Sequence, residues 1–267
     1  MLPNNEEQTP RTFVFREPRN AAELLALFQL RHQVYRESRL VSFTKENSDG
    51  VEIDPNDRFS AHYGLFVTEN GREHPVGNIR VVGLGVSPQK GMLVQLGDRY
   101  SSIAIALDSN PEAPLPILSY EDPTGAVHQE IGTMLAEGER LVEPGRLALL
   151  PQHRMLSVSK FIVESAIALY FFGPLLVDRA FVYCVPDHRP FYRRYGFQLI
   201  PGSCETFCSK AGRLFAPLVA TPQDVPQSCR SRLQEMADQY ALTSSINWQP
   251  ALAQQVHSRA SATASAA

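Results

Sequence analysis

The sequence predicts an α/β domain whose central sheet contains strands of mixed direction. Three observations predict this class: alternating helical and strand patterns along the chain, a tight-turn signal between two early strands, and an ordinary globular composition. The chain has 267 residues, of which 43% are hydrophobic and 20% charged, so a large core is expected and extended disorder, collagen and coiled coil are excluded. Its formal charge of -3 indicates no general attraction to nucleic acid.

The first predicted element is a helix over 21–37. Asn20, followed three residues later by Glu23, resembles a capping box, and the apolar residues after it recur at helical spacing. The next stretch, 42–58, contains too many charged and turn residues for a core element. It is predicted to be a loop.

Two strands are predicted next, over 62–68 and 76–86. Asn70-Gly71 between them is the dipeptide that most favours a tight hairpin turn, so the strands are expected to be antiparallel neighbours. An insert over 87–140 follows, in which prolines and glycines interrupt short apolar pieces. No element is predicted within it.

The second half of the chain alternates short strands with helices. In chain order the predicted elements are a strand over 146–150, a helix over 156–172, a strand over 180–185, a short helix over 190–195, a strand from Phe197 and a helix over 226–242. A strand that leads into a helix N-terminus favours anion binding at that point.

The two ends of the chain lack apolar periodicity. We therefore expect flexible tails over 1–12 and 249–267 around one domain at 13–248. The start has neither the basic nor the apolar region of a signal peptide, and no stretch is apolar enough for a membrane span, so a cytoplasmic location is expected. The four cysteines indicate neither a disulfide scaffold nor a zinc site, so we expect reduced thiols and no metal.

Several short motifs in order make the sequence resemble the GNAT superfamily of acyltransferases. They are RHQVY (31–35), EIDPND (52–57), VGNIRVV (76–82), EPGRLAL (143–149) and PFYRRYGF (190–197). In this order they are similar to the acyl-homoserine-lactone synthases and the long-chain N-acyl amino acid synthases. The resemblance covers roughly 20–200. It implies a mixed central sheet flanked by helices, in which two parallel strands splay apart and form an acyl-thioester cleft.

Two departures from these families bear on the substrates. The glycine-rich loop with which GNAT enzymes bind coenzyme A is replaced here by PQHRMLSVSK (151–160), and Trp248 is the only tryptophan, whereas lactone synthases usually have one soon after the first helix. The resemblance therefore implies an acyl-phosphopantetheine thioester donor on acyl carrier protein, without a tightly bound cofactor. The implied reaction is transfer of a long-chain fatty acyl group to the α-amino group of an amino acid.

Two other functions are left open by the motifs. One is a homoserine-lactone synthase that uses S-adenosylmethionine. The other is a non-catalytic module that binds acyl carrier protein or lipid and releases no thiol in the presence of an amine.

Acyl transfer to an amine needs a base for the ammonium proton, a polarised carbonyl and a proton for the departing thiolate. The resemblance implies Glu143 as the base, directly or through water, and Tyr192 as the general acid. A backbone N–H near Leu149 and Leu150 is expected to bind the oxyanion. Cys184 lies in an apolar strand where burial raises a thiol pKa, so attack without an acyl-enzyme is expected. A solvated turn carboxylate and a packing tyrosine are the alternatives for Glu143 and Tyr192.

Charged side chains on apolar elements predict an ion-pair network. Arg31 on the first helix and Arg80 inside a strand pattern are costly to bury without partners. We expect the network to shape an acceptor site in which one arginine binds the amino acid carboxylate through a two-pronged contact. A purely structural network is the alternative. The expected members are Arg31, Arg80, Arg146, Asp54, Asp57 and Glu143.

A local basic surface is predicted at two helix starts. Because acyl carrier proteins are strongly acidic, such a surface would steer docking and make it sensitive to salt. Solvated helix charges are the alternative. A nucleic-acid partner is not expected, and a peripheral membrane contact through the insert is left open. The expected docking residues are Arg154, Arg189, Arg193 and Arg194, beside His153 and His188.

Overall fold

One large mixed sheet, covered by helices on both faces, forms the protein in a computed structural model that describes residues 11–38, 49–69, 71–83, 85, 87–209 and 211–250. The predicted α/β class is therefore confirmed. The strands are β1 (Thr12–Arg16), β2 (Ser60–Glu69), β3 (Arg72–Val82), β4 (Leu141–Leu149), β5 (Arg179–Cys184), β6 (Gln198–Leu199), β7 (Thr206–Cys208), β8 (Arg213–Ala220) and β9 (Ile246–Trp248). The helices are α1 (Ala21–Glu37), α2 (Lys90–Gly97), α3 (Ser101–Asp108), α4 (Ala126–Ala136), α5 (Leu156–Ile167), α6 (Arg189–Arg193) and α7 (Gln227–Thr243).

The strand order is β6-β8-β5-β4-β3-β2-β1-β9, with β7 paired to β8. The predicted β2–β3 hairpin is confirmed as an antiparallel pair. The parallel pair β4–β5 is joined only at Leu141 with Arg179 and at Val142 with Ala180. Beyond Val142 the two strands diverge, so the implied splay is present.

Successive residues of the central strands point to opposite faces of the sheet. On one face Val142 and Val182 belong to the core that surrounds α5. On the other face Leu141 and Phe181 pack against Ile131 of α4. The splayed strands are thus covered on both faces.

The insert over 87–140 contributes three helices. Leu93 of α2 and Ile103 of α3 pack against Phe28 of α1, while α4 covers β4 and β5. Each of α2 and α3 has only eight residues. Such short pieces do not show a helical period clearly, which is why no element was predicted there.

The predicted helix over 21–37 is confirmed as α1, and the Asn20 side chain accepts a hydrogen bond from the Glu23 N–H (3.0 Å). Strand β3 ends at Val82 rather than at residue 86, and β4 begins at Leu141, five residues before its predicted start. Helix α5 ends at Ile167 and continues into a π-helical turn at Ala168–Phe172. The predicted helix over 226–242 is present as α7.

Strands β1, β7, β8 and β9 were not predicted. Because Thr12 belongs to β1, the predicted N-terminal tail is wrong at this residue. The rest of both predicted tails, except Arg11, Gln249 and Pro250, and the loop residues 42–48 lie outside the described residues. All four cysteines are free. No helix within the described ranges has the length and apolar character needed to cross a bilayer.

Candidate active site

Two adjoining cavities occupy the splay between β4 and β5. The larger, of about 460 Å³, lies between β4, β5 and α5 and is called the splay cavity below. The smaller, of about 190 Å³, surrounds Glu143 and is called the glutamate cavity. Both are lined by Pro144, Gly145, Arg146, Leu147, Tyr183 and Phe215.

A β-bulge in β4 forms the boundary between these cavities. Gly145 lies opposite Arg80 and Ala148 lies opposite Asn78, so Arg146 and Leu147 together face the single residue Ile79 of β3. Arg146 has a φ of 53°, in the left-handed region, as a residue in a bulge can have. The bulge directs this arginine and the backbone of the next residue into the cleft.

The predicted oxyanion donors are only partly supported by the backbone pairing. The Leu150 N–H donates to the Val76 carbonyl (3.0 Å), so the prediction for Leu150 is wrong. The Leu149 carbonyl accepts from Arg154 Nε (3.0 Å), which places the Leu149 backbone groups on the side of β4 away from β3. Leu147, two residues earlier, faces the same side and lines both cavities, whereas Leu149 lines neither. Sequence reasoning missed Leu147 because a bulge has no sequence period.

The predicted ion-pair network is present beside the glutamate cavity. Arg31 binds both carboxylate oxygens of Asp57 (2.9 Å each), and its Nε lies 2.6 Å from Glu52. Arg80 lies 2.7 Å from Asp54 and 3.0 Å from Asp57. These contacts satisfy charges that α1 and β3 would otherwise bury alone.

Arg146 completes the network with contacts to Asp54 (2.6 Å) and Glu52 (3.4 Å). The three arginines thus face three carboxylates, so their charges balance. Although burial opposes ionisation, Arg80 and Arg146 lower the pKa of Asp54 to about 2. Glu52 was not among the predicted site residues, although the requirement of three arginines for three acids could have indicated it.

The members of the network differ in their access to the cleft. Arg31 and Asp57 are fully buried and line neither cavity, so the structural alternative describes these two members of the network. They support the other members of the network that line the cavities. Arg80 lines the glutamate cavity, and Arg146 and Asp54 line a third cavity of about 470 Å³ next to the insert, called the insert cavity.

Glu143 lies inside β4 with 6% of its surface exposed, so the alternative of a solvated turn carboxylate is wrong. Its carboxylate accepts a hydrogen bond from the Ile117 N–H (2.7 Å). No ion pair joins it to an arginine of the described residues, which corrects its predicted membership of the network. Burial raises the pKa of Glu143 to about 7, against the opposing effects of the Ile117 N–H and of Arg80.

Tyr192 lies on α6 and lines the splay cavity together with Cys184. Burial raises the pKa of the Tyr192 phenol, so this side chain keeps its proton at neutral pH. Burial also raises the pKa of the Cys184 thiol to about 12, as the sequence predicted, which leaves little nucleophilic thiolate. A protonated phenol and a titratable carboxylate therefore lie on the two sides of the β4 bulge.

The insert forms one wall of the cleft. Pro116 and Tyr120 line both the glutamate cavity and the insert cavity. The Tyr120 ring stacks on Tyr183 of β5 with a centroid distance of 4.3 Å, and Tyr183 stacks on Phe215 of β8 at 5.0 Å. These aromatic residues come from distant parts of the sequence and were not predicted as site residues.

The predicted basic surface is partly supported. Arg193 and Arg194 are exposed on α6, whereas Arg189 forms an ion pair with Glu205 (2.8 Å). Arg154 is exposed at the carboxyl end of β4. His153 is buried, and burial lowers its pKa, so its predicted place on the basic surface is wrong.

Residues 93–217, slightly under half of the chain, match the family model described as N-acyl amino acid synthase FeeM. No curated protein matches the chain. Over these residues the chain is thus similar to the N-acyl amino acid synthases that the motifs indicated, and the observed mixed sheet agrees with that resemblance.

Three solved structures are similar in fold. FeeM from uncultured soil microbes is 16% identical, with 81% of this chain and 93% of that chain covered and a TM-score of 0.47. The CoA-dependent acyl-homoserine lactone synthase BjaI with SAM and isopentyl-CoA is 15% identical (84% and 90% covered, TM-score 0.47). An acyl-CoA N-acyltransferase from Pseudomonas aeruginosa is 14% identical (78% and 98% covered, TM-score 0.42).

Proposed function

We propose that this protein transfers a fatty acyl group from acyl carrier protein to the α-amino group of an amino acid. The observation that carries the proposal is the buried Glu143 carboxylate, with a pKa of about 7, next to Val142, where β4 and β5 begin to diverge. A carboxylate with this pKa can accept a proton from an ammonium group near neutral pH and release it again. The match to N-acyl amino acid synthases supports an amino acid as the acceptor.

In the proposed reaction the acyl chain occupies the splay cavity and the thioester carbonyl lies at the bulge. Glu143 takes a proton from the ammonium group, directly or through water, and the free amine attacks the carbonyl carbon. The Leu147 N–H stabilises the oxyanion. When the C–S bond breaks, the Tyr192 hydroxyl donates a proton to the thiolate, and the second proton lost by the attacking nitrogen restores the phenol. The products are an amide and a thiol, and Glu143 releases the ammonium proton to solvent.

Among the predicted arginines, Arg146 is the best placed to bind the acceptor carboxylate. It lines the splay, glutamate and insert cavities, and 17% of its side chain is exposed, compared with 2% for Arg80. Its contacts with Asp54 and Glu52 hold the guanidinium at the junction of the cavities. A planar guanidinium in this position suits recognition of a carboxylate.

A protein-bound donor is favoured by the lack of glycines in 151–160 and by the exposed arginines of α6.

We predict that Arg193→Glu with Arg194→Glu raises KM for an acyl carrier protein thioester, because reversed charge repels an acidic partner. KM for a small acyl thioester is expected to stay the same, as neither side chain lines the splay cavity. Steady-state kinetics with both donors, at two salt concentrations, checks this. Equal changes for the two donors would exclude docking on α6.

The closed end of the splay cavity lies where β4 and β5 meet. It is lined by Val163 and Ala166 of α5 and by Tyr170 of the π-helical turn that follows, as this segment runs back along the splay. The Tyr170 carbonyl accepts from the Val177 N–H (3.0 Å), just before β5, which places Tyr170 at this end. The ring thus limits the length of the acyl chain.

We predict that Tyr170→Leu shifts the preferred acyl donor to longer chains, since the smaller side chain leaves room for added methylenes. Each methylene that becomes buried is expected to raise kcat/KM by about fourfold relative to wild type. Tyr170→Phe keeps the ring and serves as the matched control. A series of thioesters of increasing length measures the preference. An unchanged optimum in Tyr170→Leu would show that the chain does not reach this residue.

The proposed function is tested by mass spectrometry of lipid extracts from cells that overproduce the protein. An N-acyl amino acid absent from cells producing Glu143→Gln would support the proposal and identify the acceptor. An acyl-homoserine lactone would instead support the lactone synthase. Binding of acyl carrier protein without any acylated amine, in extracts or with the purified protein, would support the non-catalytic module.

A further inference from the structure

The insert does more than line the cleft, because its 3₁₀ turn at Pro116–Ser119 contacts Glu143 directly. The Ile117 N–H donates to Glu143 Oε2 at 2.7 Å, and this is a buried contact between residues 26 positions apart. Ionised carboxylates form short, strong hydrogen bonds with backbone N–H groups. The carboxylate of β4 is therefore oriented by the backbone of the insert.

Tyr120 closes the same turn, with its N–H facing the Ile117 carbonyl (3.4 Å). Its ring lies nearly parallel to that of Tyr183, with 4.3 Å between centroids and 18° between planes. Tyr183 in turn stacks on Phe215 at 5.0 Å and 14°. The three rings connect the insert to β5 and β8, so the stack attaches the turn to the sheet beside the cleft.

We propose that Tyr120 is a positioning residue for Glu143: its stack on Tyr183 holds the turn whose Ile117 N–H orients the Glu143 carboxylate. This inference rests on the proposed role of Glu143 as the base. Tyr120 itself does not exchange a proton in the reaction. Its contribution is to keep the N–H within hydrogen-bond distance of the carboxylate, which favours the charged form of the base.

The direction in which the pKa of Glu143 changes distinguishes two roles for Tyr120: positioning the Ile117 N–H, or only shielding the cavity from water. Losing the N–H contact removes stabilisation of the carboxylate and raises its pKa. Opening the wall to water relieves desolvation and lowers the pKa instead. The other charged or titratable groups around the glutamate cavity are Arg80 from β3, Arg146 from β4, Asp54 from the loop before β2, Tyr35 from α1, Tyr183 from β5 and Cys208 from β7. All of these residues except Tyr183 are unchanged in the variants below, and Tyr183 is changed only in the second pair.

The test measures kcat/KM against pH for Tyr120→Leu, with Tyr120→Phe as the matched control that keeps the ring. In Tyr120→Leu the acidic limb is expected to move to higher pH by about one unit, which is the size of effect that a hydrogen bond to a charged group produces. In Tyr120→Phe the limb is expected to stay in place. A limb that stays in place or moves to lower pH in Tyr120→Leu would overturn the proposal.

Tyr183→Leu examines the same stack from the sheet side and keeps the test decisive if Tyr120→Leu does not fold. It is expected to move the limb in the same direction, and Tyr183→Phe is its control. An unmoved limb in Tyr183→Leu would likewise overturn the proposal. If the wild-type protein forms no acylated amine, the proposed function fails. If Glu143→Gln retains full activity, the role of Glu143 as the base fails, and the role of Tyr120 fails with it. If Glu143→Gln is inactive and the limb does not move in the stack variants, only the role of Tyr120 fails.

Discussion

Glu143→Gln is expected to lower kcat by about 10²- to 10⁴-fold, the contribution that a well-placed general base makes. Glutamine has the same shape and keeps a carbonyl oxygen that can accept from the Ile117 N–H, but it cannot take a proton. The variant should therefore fold and bind the acyl donor normally. Turnover is measured with a purified acyl thioester and an amine acceptor.

Glu137→Gln is the matched control for this prediction. Glu137 is exposed at the end of α4 and lines none of the three cavities, so the same chemical change there should leave kcat unaltered. The wild-type kcat/KM should fall tenfold for each pH unit below about 7, because the carboxylate with a pKa of about 7 becomes protonated. Full turnover by Glu143→Gln would remove this residue from the mechanism.

Arg31→Met is expected to lower the free energy of unfolding by about 3–5 kcal/mol, the cost of breaking a buried ion pair from one side. Arg31 is fully buried and binds both Asp57 and Glu52, so its removal leaves two carboxylates without their main partner. Methionine fills most of the same space, which confines the effect to the lost charge. Denaturant unfolding measures the change.

Arg19→Met provides the control for this second prediction. Arg19 also forms an ion pair, with Glu73 at 2.6 Å, but 58% of its side chain is exposed. Exposed pairs contribute about 0–1 kcal/mol, so this substitution should change stability little. If Arg31→Met and Arg19→Met were equally stable, the buried network would not be a main support of the site.

The sequence predicted the parts of the site that follow from local pattern and charge. A helix with an arginine on its apolar face required acidic partners, and the loop before β2 supplied them. The sequence did not show which carboxylate pairs with which arginine. Three acidic residues within six positions are equivalent as long as the conformation of their loop is unknown. Glu52 was therefore missed, and Glu143 was assigned to a network that it does not join through an ion pair.

The features that could not be predicted depend on pairing between distant segments. The bulge at Arg146 and Leu147 exists because β4 has one more residue than β3 between paired positions, so the sequence did not show that Leu147 lines the cleft. The Tyr120–Tyr183–Phe215 stack joins three elements that lie far apart in the chain. Strand β8 was missed because its partners β5 and β6 define it more than its own composition does.

The most direct measurement follows both products of the reaction in one experiment. The purified protein is mixed with an acyl carrier protein thioester and a panel of amino acids, and free thiol and acylated amine are quantified together. We expect equal amounts of thiol and of one N-acyl amino acid, at a rate that falls below about pH 7 as Glu143 is protonated. A thioester that is bound but releases no thiol with any amine, S-adenosylmethionine included, would contradict an acyltransferase site at this cleft.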